Sequence, residues 1–275
     1  MAPQGSPSTA SAAAGFAPPP PVAAQLAAVC EVDGPGWRPA RTFLDEDLPA
    51  FIDAGRRVRG TSTGVSGSLF VLAYARRLIW PVLGEYLLHG RRVDPTWPNV
   101  MVDADEEGGS FRIGFRTATV PSTTSTTSSA IEEVVSALLD GHLEQVVEQV
   151  HRETRVGNRV LWGDVAVALA QVFMALSWSS PDRSILLSTA REALDARPRL
   201  RGLVELDTVR HPSGLGTPCW MVVWRRTCCL AFRCGSEHDR APYCGTCPLV
   251  GLDDRLARFH DAARRYLDLT AGDSR

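Results

Sequence analysis

The chain has 275 residues, 44% hydrophobic and 22% charged, with 29 basic against 31 acidic side chains and a net charge of -2. That is enough apolar material for one large or two modest domains, and the charge balance argues against a dedicated nucleic-acid binder, which needs a basic excess to neutralise phosphates. Every basic residue counted here is Arg and none is Lys, so chemistry built on a Schiff-base lysine or a Walker-type lysine is excluded.

Residues 1 to about 22 are mainly Ala, Ser and Pro, with four consecutive prolines from Pro18 to Pro21, and a disordered Ala/Pro/Ser-rich tail is expected over 1–40. The first thirty residues hold no charged side chain. They lack the basic start of a secretory signal and the arginines of a transit peptide, so a cytoplasmic protein with reduced thiols is expected. A helix and strand part is expected over 41–120. From Phe43 to His89 the pattern is helical, with Gly60, Gly64 and Gly67 dividing it into a short helix and a longer one beginning near Ser68. Gly64 and Gly67 fit a simple helix start, or an anion held at a helix terminus. The most apolar run, Leu69 to Leu88, is interrupted by Arg76, Arg77, Pro81 and Glu85, and no transmembrane segment is predicted. Val100 to Asp103 and Phe111 to Thr117 read as a strand pair around an acidic turn at Glu106, Glu107, Gly108 and Gly109. Phe111, Ile113 and Phe115 alternate there with Arg112, Gly114 and Arg116 as in a half-buried strand.

A helical layer is expected over 121–200. Pro121 to Ser129 reads as a Ser/Thr-rich loop, and Ser129 with Glu132 has capping-box spacing before a helix carrying Ile131, Val134, Val135 and Leu138. Gly141 separates this from a stretch with Leu143, Val146, Val147 and Val150, and a third runs through Val165, Leu169, Val172, Phe173 and Leu176. His142 and His151 fall on these helices without a metal-binding pattern and read as surface or core-edge residues. An amphipathic stretch from Ile185 to Leu194 follows. Over 201–275 the pattern turns extended, with Val204 and Leu206 alternating with Glu205 and Asp207. Trp220, Val222 and Trp224 share one face of a later strand and read as core. A last helix bears Leu252, Leu256, Phe259, Ala263 and Tyr266.

Of the seven cysteines, Cys30 and Cys219 stand apart and read as buried thiols, whereas Cys228, Cys229, Cys234, Cys244 and Cys247 are clustered. An odd total in a long chain does not suit a disulfide framework. The Cys244-Gly245-Thr246-Cys247 turn directs two sulfurs to one centre and frees amides to bond them. Cys228 and Cys229 are adjacent, which suits a single tetrahedral zinc ion poorly and a two-iron cluster better. Cys228, Cys229, Cys244 and Cys247 are therefore the candidate ligands of a [2Fe-2S] cluster. Cys234 reads as a passenger of the intervening loop or as a substitute for Cys228 or Cys229. Its spacing to Arg240 matches a thiol-phosphatase loop only superficially, because Glu237 and Asp239 would occupy the phosphate cradle. His238 has no second histidine for a Rieske-like pair. Arg225, Arg226, Arg233 and Arg240 read either as a docking patch for an acidic donor or an anionic iron complex, or as a solvated face.

The adjacent cysteines, the Arg225-Arg226-Thr227 segment before them and Tyr243-Cys244-Gly245-Thr246-Cys247-Pro248-Leu249 resemble the C-terminal signature of the FhuF-type ferric-siderophore reductases. Leu161-Trp162-Gly163-Asp164 resembles the family's Leu-Trp-Gly element. The resemblance reaches from about residue 45 to 270, with a longer loop between the cysteine pairs and the additional Cys234 as departures. It implies an α+β fold, mainly helical with a short antiparallel sheet and a C-terminal iron-sulfur part. It also implies one-electron reduction of ferric iron in siderophore complexes of hydroxamate type. No glycine-rich dinucleotide fingerprint is present, so a ferredoxin or flavin reductase is the expected electron donor. The competing expectation is a non-catalytic zinc- or cluster-stabilised module for siderophore handling or redox sensing.

Overall fold

A computed structural model of the chain describes residues 18–105, 109–121, 128–180, 182–210, 219–235 and 242–272. Two long helices form its centre, α3 (Thr63–His89) and α6 (Asn158–Ser179), packed along each other. Both are apolar nearly all round, and a helix of that kind is stable in water only when other elements cover every side. The cover comes from α1 (Pro20–Leu26), α2 (Leu48–Val58), α4 (Ser128–Leu138), α5 (Glu144–Thr154) and α7 (Arg183–Asp195). By length and apolarity α6 would qualify to cross a membrane, which the sequence pattern did not indicate, but here it is the mostly buried central helix.

The strands are short and antiparallel. β1 (Trp37–Pro39), β3 (Val100–Ala104) and β4 (Phe111–Phe115) form a three-stranded sheet in the order β1-β3-β4, with Val100 opposite Phe115 and Ala104 opposite Phe111. β2 (Arg91–Arg92) pairs with β5 (Val120–Pro121), and β6 (Val204–Val209) pairs with β7 (Trp220–Arg225). The expected mainly helical α+β class is what the chain adopts. Phe111, Ile113 and Phe115 are buried as the alternation requires, but Gly114 is buried too, because Val32 and Trp37 lie over it at less than a side chain's distance.

Several expectations are corrected. Residues 18–40, assigned to the tail from composition, hold α1 and β1, and Leu26 is buried against α3. Helix α3 begins at Thr63, capped by the Ser62 hydroxyl accepting from Val65 N–H, so Gly64 and Gly67 lie inside it. A methyl on Gly67 would sit 2.7 Å from Thr154 Cγ2, and one on Gly64 3.1 Å from Val156 Cγ2. These glycines admit the end of α5 rather than an anion. Gly141 separates nothing: it lies in a π-helical segment (Leu139–Leu143) that joins α4 to α5. His142 is fully buried, stacked at 3.8 Å on Trp97, with Nδ1 bonded to the Pro95 carbonyl and Nε2 to the Tyr74 hydroxyl. His151 caps the end of α5 by a 2.6 Å bond to the Val156 carbonyl. The Ser129 cap and the Glu106–Gly108 turn lie outside the described residues or side chains.

β7 is buried on both faces. Met221 and Val223 join the main core, while Trp220, Val222 and Trp224 pack with Trp178 of α6 and with Phe259, Ala263 and Tyr266 of α8 (Leu252–Gly272). The strand is thereby fixed between two layers, and the cysteine segment leaves from its end.

Candidate iron-sulfur site and the adjoining cavity

Immediately after β7 the chain turns through Leu230, whose φ of 63° is unusual for a non-glycine residue. The turn directs the Leu230 N–H at Cys228 Sγ, 3.3 Å away, and the Ala231 N–H at the Cys229 sulfur. The second pair repeats the device, with Thr246 N–H bonding Cys244 and Leu249 N–H bonding Cys247. Each of the four sulfurs thus receives the amide of the residue two positions further on. The two loops are held together by the Arg225 N–H donating to the Thr246 carbonyl at 3.3 Å and by the rings of Phe232 and Tyr243, 5.2 Å apart. Helix α8 contributes Arg258, which donates to the carbonyls of Tyr243 and Cys244.

The four thiols form one chain of contacts. Cys229 is hydrogen-bonded to Cys244, and Cys247 to both Cys228 and Cys244. Donation from Cys229 pulls the Cys244 thiol down to about 7, and the same bond, with burial, pushes Cys229 up; burial also raises Cys247. Among the described residues, no three His, Cys, Asp or Glu side chains form a group suited to a metal ion. Cys234 takes no part in the thiol contacts. Its loop is tied instead to the α2–α3 connection through Gly235 N–H to the Arg59 carbonyl and Thr61 Oγ1 to the Arg233 carbonyl. Cys30 and Cys219, expected to be buried, are half-buried. His238, Glu237, Asp239 and Arg240 lie outside the described residues.

Behind the cysteines is a buried polar junction that the sequence did not announce. Arg225, read as a surface cation, is 3% exposed and forms an ion pair with Asp164, whose side chain is fully buried. Arg225 Nε also donates to the Thr227 carbonyl at 3.1 Å. Burial pushes the Asp164 carboxyl up to about 6, against the pull of Arg225 and of a Ser68 hydrogen bond. Burial alone would lower Arg225, but the attraction of Asp164, Cys229 and Cys244 raises it, so the guanidinium stays charged beside the thiols. Ser68 Oγ lies 2.7 Å from Asp164 Oδ2 and 3.1 Å from the Cys229 carbonyl, two acceptors for one proton. Gly163 lets this junction close, since a methyl there would overlap Thr227 Oγ1 and lie 2.8 Å from Thr227 Cβ. Of the other arginines in the expected patch, Arg226 is exposed and paired with Glu205, and Arg233 is exposed over Phe232. Among the described residues no surface patch forms around Arg225.

Cys229 and Cys244 also stand at the wall of a cavity of about 920 Å³, near the upper end of the range for small-molecule sites. Leu69, Leu72 and Ala73 of α3, Ile113 of β4 and Val167 of α6 give it an apolar lining. Its polar groups include Gln25, Gln171, Arg59, Arg76, Arg77 and Arg112. Arg76 and Arg77 appeared in the sequence only as interruptions of an apolar run, and that doublet was the available signal.

No curated protein and no solved structure matches this chain. Residues 68–201 match the family model described as "Ferric iron reductase FhuF-like transporter". The matched segment starts at Ser68, contains Leu161-Trp162-Gly163-Asp164, and ends before the cysteine loops. Its Ser68 and Asp164 are nevertheless the groups on which those loops are anchored. Over residues 68–201, just under half of its length, the chain is therefore similar to the FhuF-like family of that description.

Proposed function

We propose that the protein is a ferric-siderophore reductase whose Cys228, Cys229, Cys244 and Cys247 hold a [2Fe-2S] cluster beside the cavity that receives the ferric complex. The observation that carries this reading is the set of four mutually linked thiols, each accepting a backbone amide, two of which line a cavity of about 920 Å³. The donor set fits a two-iron group. The adjacent Cys228 and Cys229 suit neighbouring ligand positions of a two-iron group better than one tetrahedral ion, and hydrogen bonds to sulfur are what such groups use to tune potential. A single structural zinc would require all four sulfurs around one point. Bound there, a [2Fe-2S] group would supply electrons one at a time, the stoichiometry of converting Fe(III) to Fe(II).

The chain's own residues do the rest. Amides from Leu230, Ala231, Thr246 and Leu249, with the fixed charge of Arg225, stabilise negative charge on the sulfurs. The Asp164–Arg225 pair and Ser68 anchor the first cysteine loop, and Arg258 anchors the second. The cavity brings the substrate against Cys229 and Cys244 and excludes bulk water from that face. Once reduced, the substrate iron has a lower charge and is held less tightly by the hard anionic oxygens of a siderophore, so release follows reduction. A separate ferredoxin or flavin reductase supplies the electron.

Protein purified without oxygen is expected to be red-brown, with equal iron and acid-labile sulfide. Its visible absorption should bleach with dithionite and return on adding a ferric siderophore. Cys244→Ser should lose the iron and sulfide, and Cys234→Ser should retain both. A colourless protein holding one zinc overturns the proposal, and the reverse behaviour of the two variants overturns the ligand set.

A further inference from the structure

We infer that the cavity selects ferric complexes of net negative charge, with Arg76 and Arg77 reading a free carboxylate on the siderophore. The inference rests on the reading of the cavity as the substrate site and adds the class of substrate.

Charge balance around the cavity carries it. Of the five arginines on the wall, Arg112 is paired with Asp103 and Arg225 with Asp164. Arg59, Arg76 and Arg77 have no carboxylate partner among the described residues. Arg59 donates only to the carbonyls of Gly55 and Gly109, at 3.2 Å each. Arg76 donates to Gln25 Oε1 at 2.6 Å, and Arg77 to the Ala73 carbonyl at 3.3 Å. The described lining contains no Asp or Glu. A cavity whose described lining holds three guanidiniums without a carboxylate partner and no acid attracts an anion and repels a cation.

The geometry is also specific. Successive helical residues point about 100° apart, yet both arginines reach the same space because each is held over a neighbouring ring. The Arg76 guanidinium lies 4.2 Å from the centre of Trp80, and that of Arg77 lies 4.6 Å from the centre of Phe111. Contact with the ring holds each guanidinium in place, and each makes a single hydrogen bond, to Gln25 or to the Ala73 carbonyl, that leaves its other N–H groups for a ligand. A planar fork of donors is the arrangement that holds a carboxylate bidentately. Both side chains remain in contact with solvent, but enough protein surrounds them that desolvation lowers both, and the charge of Arg77 lowers Arg76 further. An anionic ligand would relieve that repulsion. The apolar remainder of the wall, including Leu69, Leu72 and Ile113, accommodates the organic body.

The test uses Ga(III), which matches Fe(III) in charge but cannot be reduced here, so binding is read apart from turnover. Three complexes of one linear trihydroxamate are compared, differing only in a terminal amine, its acetyl amide or its succinyl amide, and therefore cationic, neutral or anionic. Titration of the full-length protein by calorimetry, with intrinsic tryptophan fluorescence as a second signal, should rank them anionic, neutral, cationic. The extreme members should differ at least tenfold, and the spread should shrink as salt is raised. Arg76→Gln and Arg77→Gln, checked for unchanged thermal unfolding, should each reduce the preference several-fold while leaving the neutral complex's affinity nearly unchanged. Equal binding of the three complexes, or a preference that survives both substitutions, overturns this inference and leaves the substrate reading intact. No binding by any of the three overturns both.

Discussion

Gly163→Ala tests whether the Leu161-Trp162-Gly163-Asp164 turn of α6 and the cysteine segment are pressed together as described. In an isolated helix the change would be favourable, since alanine exceeds glycine by roughly 1 kcal/mol. Here the added methyl would overlap Thr227 Oγ1 and stand 2.8 Å from Thr227 Cβ, where non-bonded carbons keep about 3.5–4.0 Å. Neither side yields freely. Gly163 belongs to the central helix, and Thr227 is held through its carbonyl by the buried Arg225. Opening the contact by roughly 1 Å is overpacking of the kind that costs about 1–3 kcal/mol, so the helical gain is cancelled and a net loss of about 1–2 kcal/mol is expected. Urea unfolding followed by far-ultraviolet circular dichroism reads the loss. Thr227→Ala in the same background removes the overlapping hydroxyl and should return about 1 kcal/mol or more as a coupling energy. Because Thr227 precedes Cys228, iron content should fall in Gly163→Ala and recover in the double variant. A Gly163→Ala protein as stable as the parent, with no coupling to Thr227, refutes the packing argument.

Replacing the buried carboxylate by a neutral amide, Asp164→Asn, leaves the Arg225 guanidinium without its counter-charge and should cost about 3–5 kcal/mol in chemical unfolding. The double variant Asp164→Leu, Arg225→Met should regain most of that stability, and a single variant within 1 kcal/mol of the parent refutes the ion pair. His142 gives a pH signature. Burial pushes it down to about 3, against about 6.5 in the unfolded chain, so the fold retains the neutral ring. Its contribution is full above pH 6.5 and is lost as pH falls towards 3, roughly 2–3 kcal/mol of it between pH 7 and 4.5. His142→Gln should flatten that part of the acid limb in urea titrations; an unchanged slope counts against it.

The amides aimed at the Cys244 and Cys247 sulfurs were legible because turn chemistry is local, set by spacing and Gly245, whereas the approach of the two cysteine pairs depends on Arg225, Arg258 and the Phe232–Tyr243 contact. Strand β4, the strands β6 and β7 and the long helices were legible for a similar reason, since side-chain periodicity is set within a few residues. The misreadings share a physical cause. Gly64 and Gly67 look like breaks in sequence, and only the neighbours that crowd them reveal close packing. Arg225 looks like a surface cation until β7 and α6 place it against Asp164.

By itself the sequence determined the chemistry offered, four thiols with their local amide donors and a chain without lysine. Tertiary structure decided what those thiols face. It joined Ser68 to Cys229 across 161 residues, buried one arginine beside the sulfurs to hold charge there, and left Arg76 and Arg77 without counter-charge in the adjoining cavity. Charge compensation and enclosed space depend on which distant elements meet, and no short window of sequence contains that information.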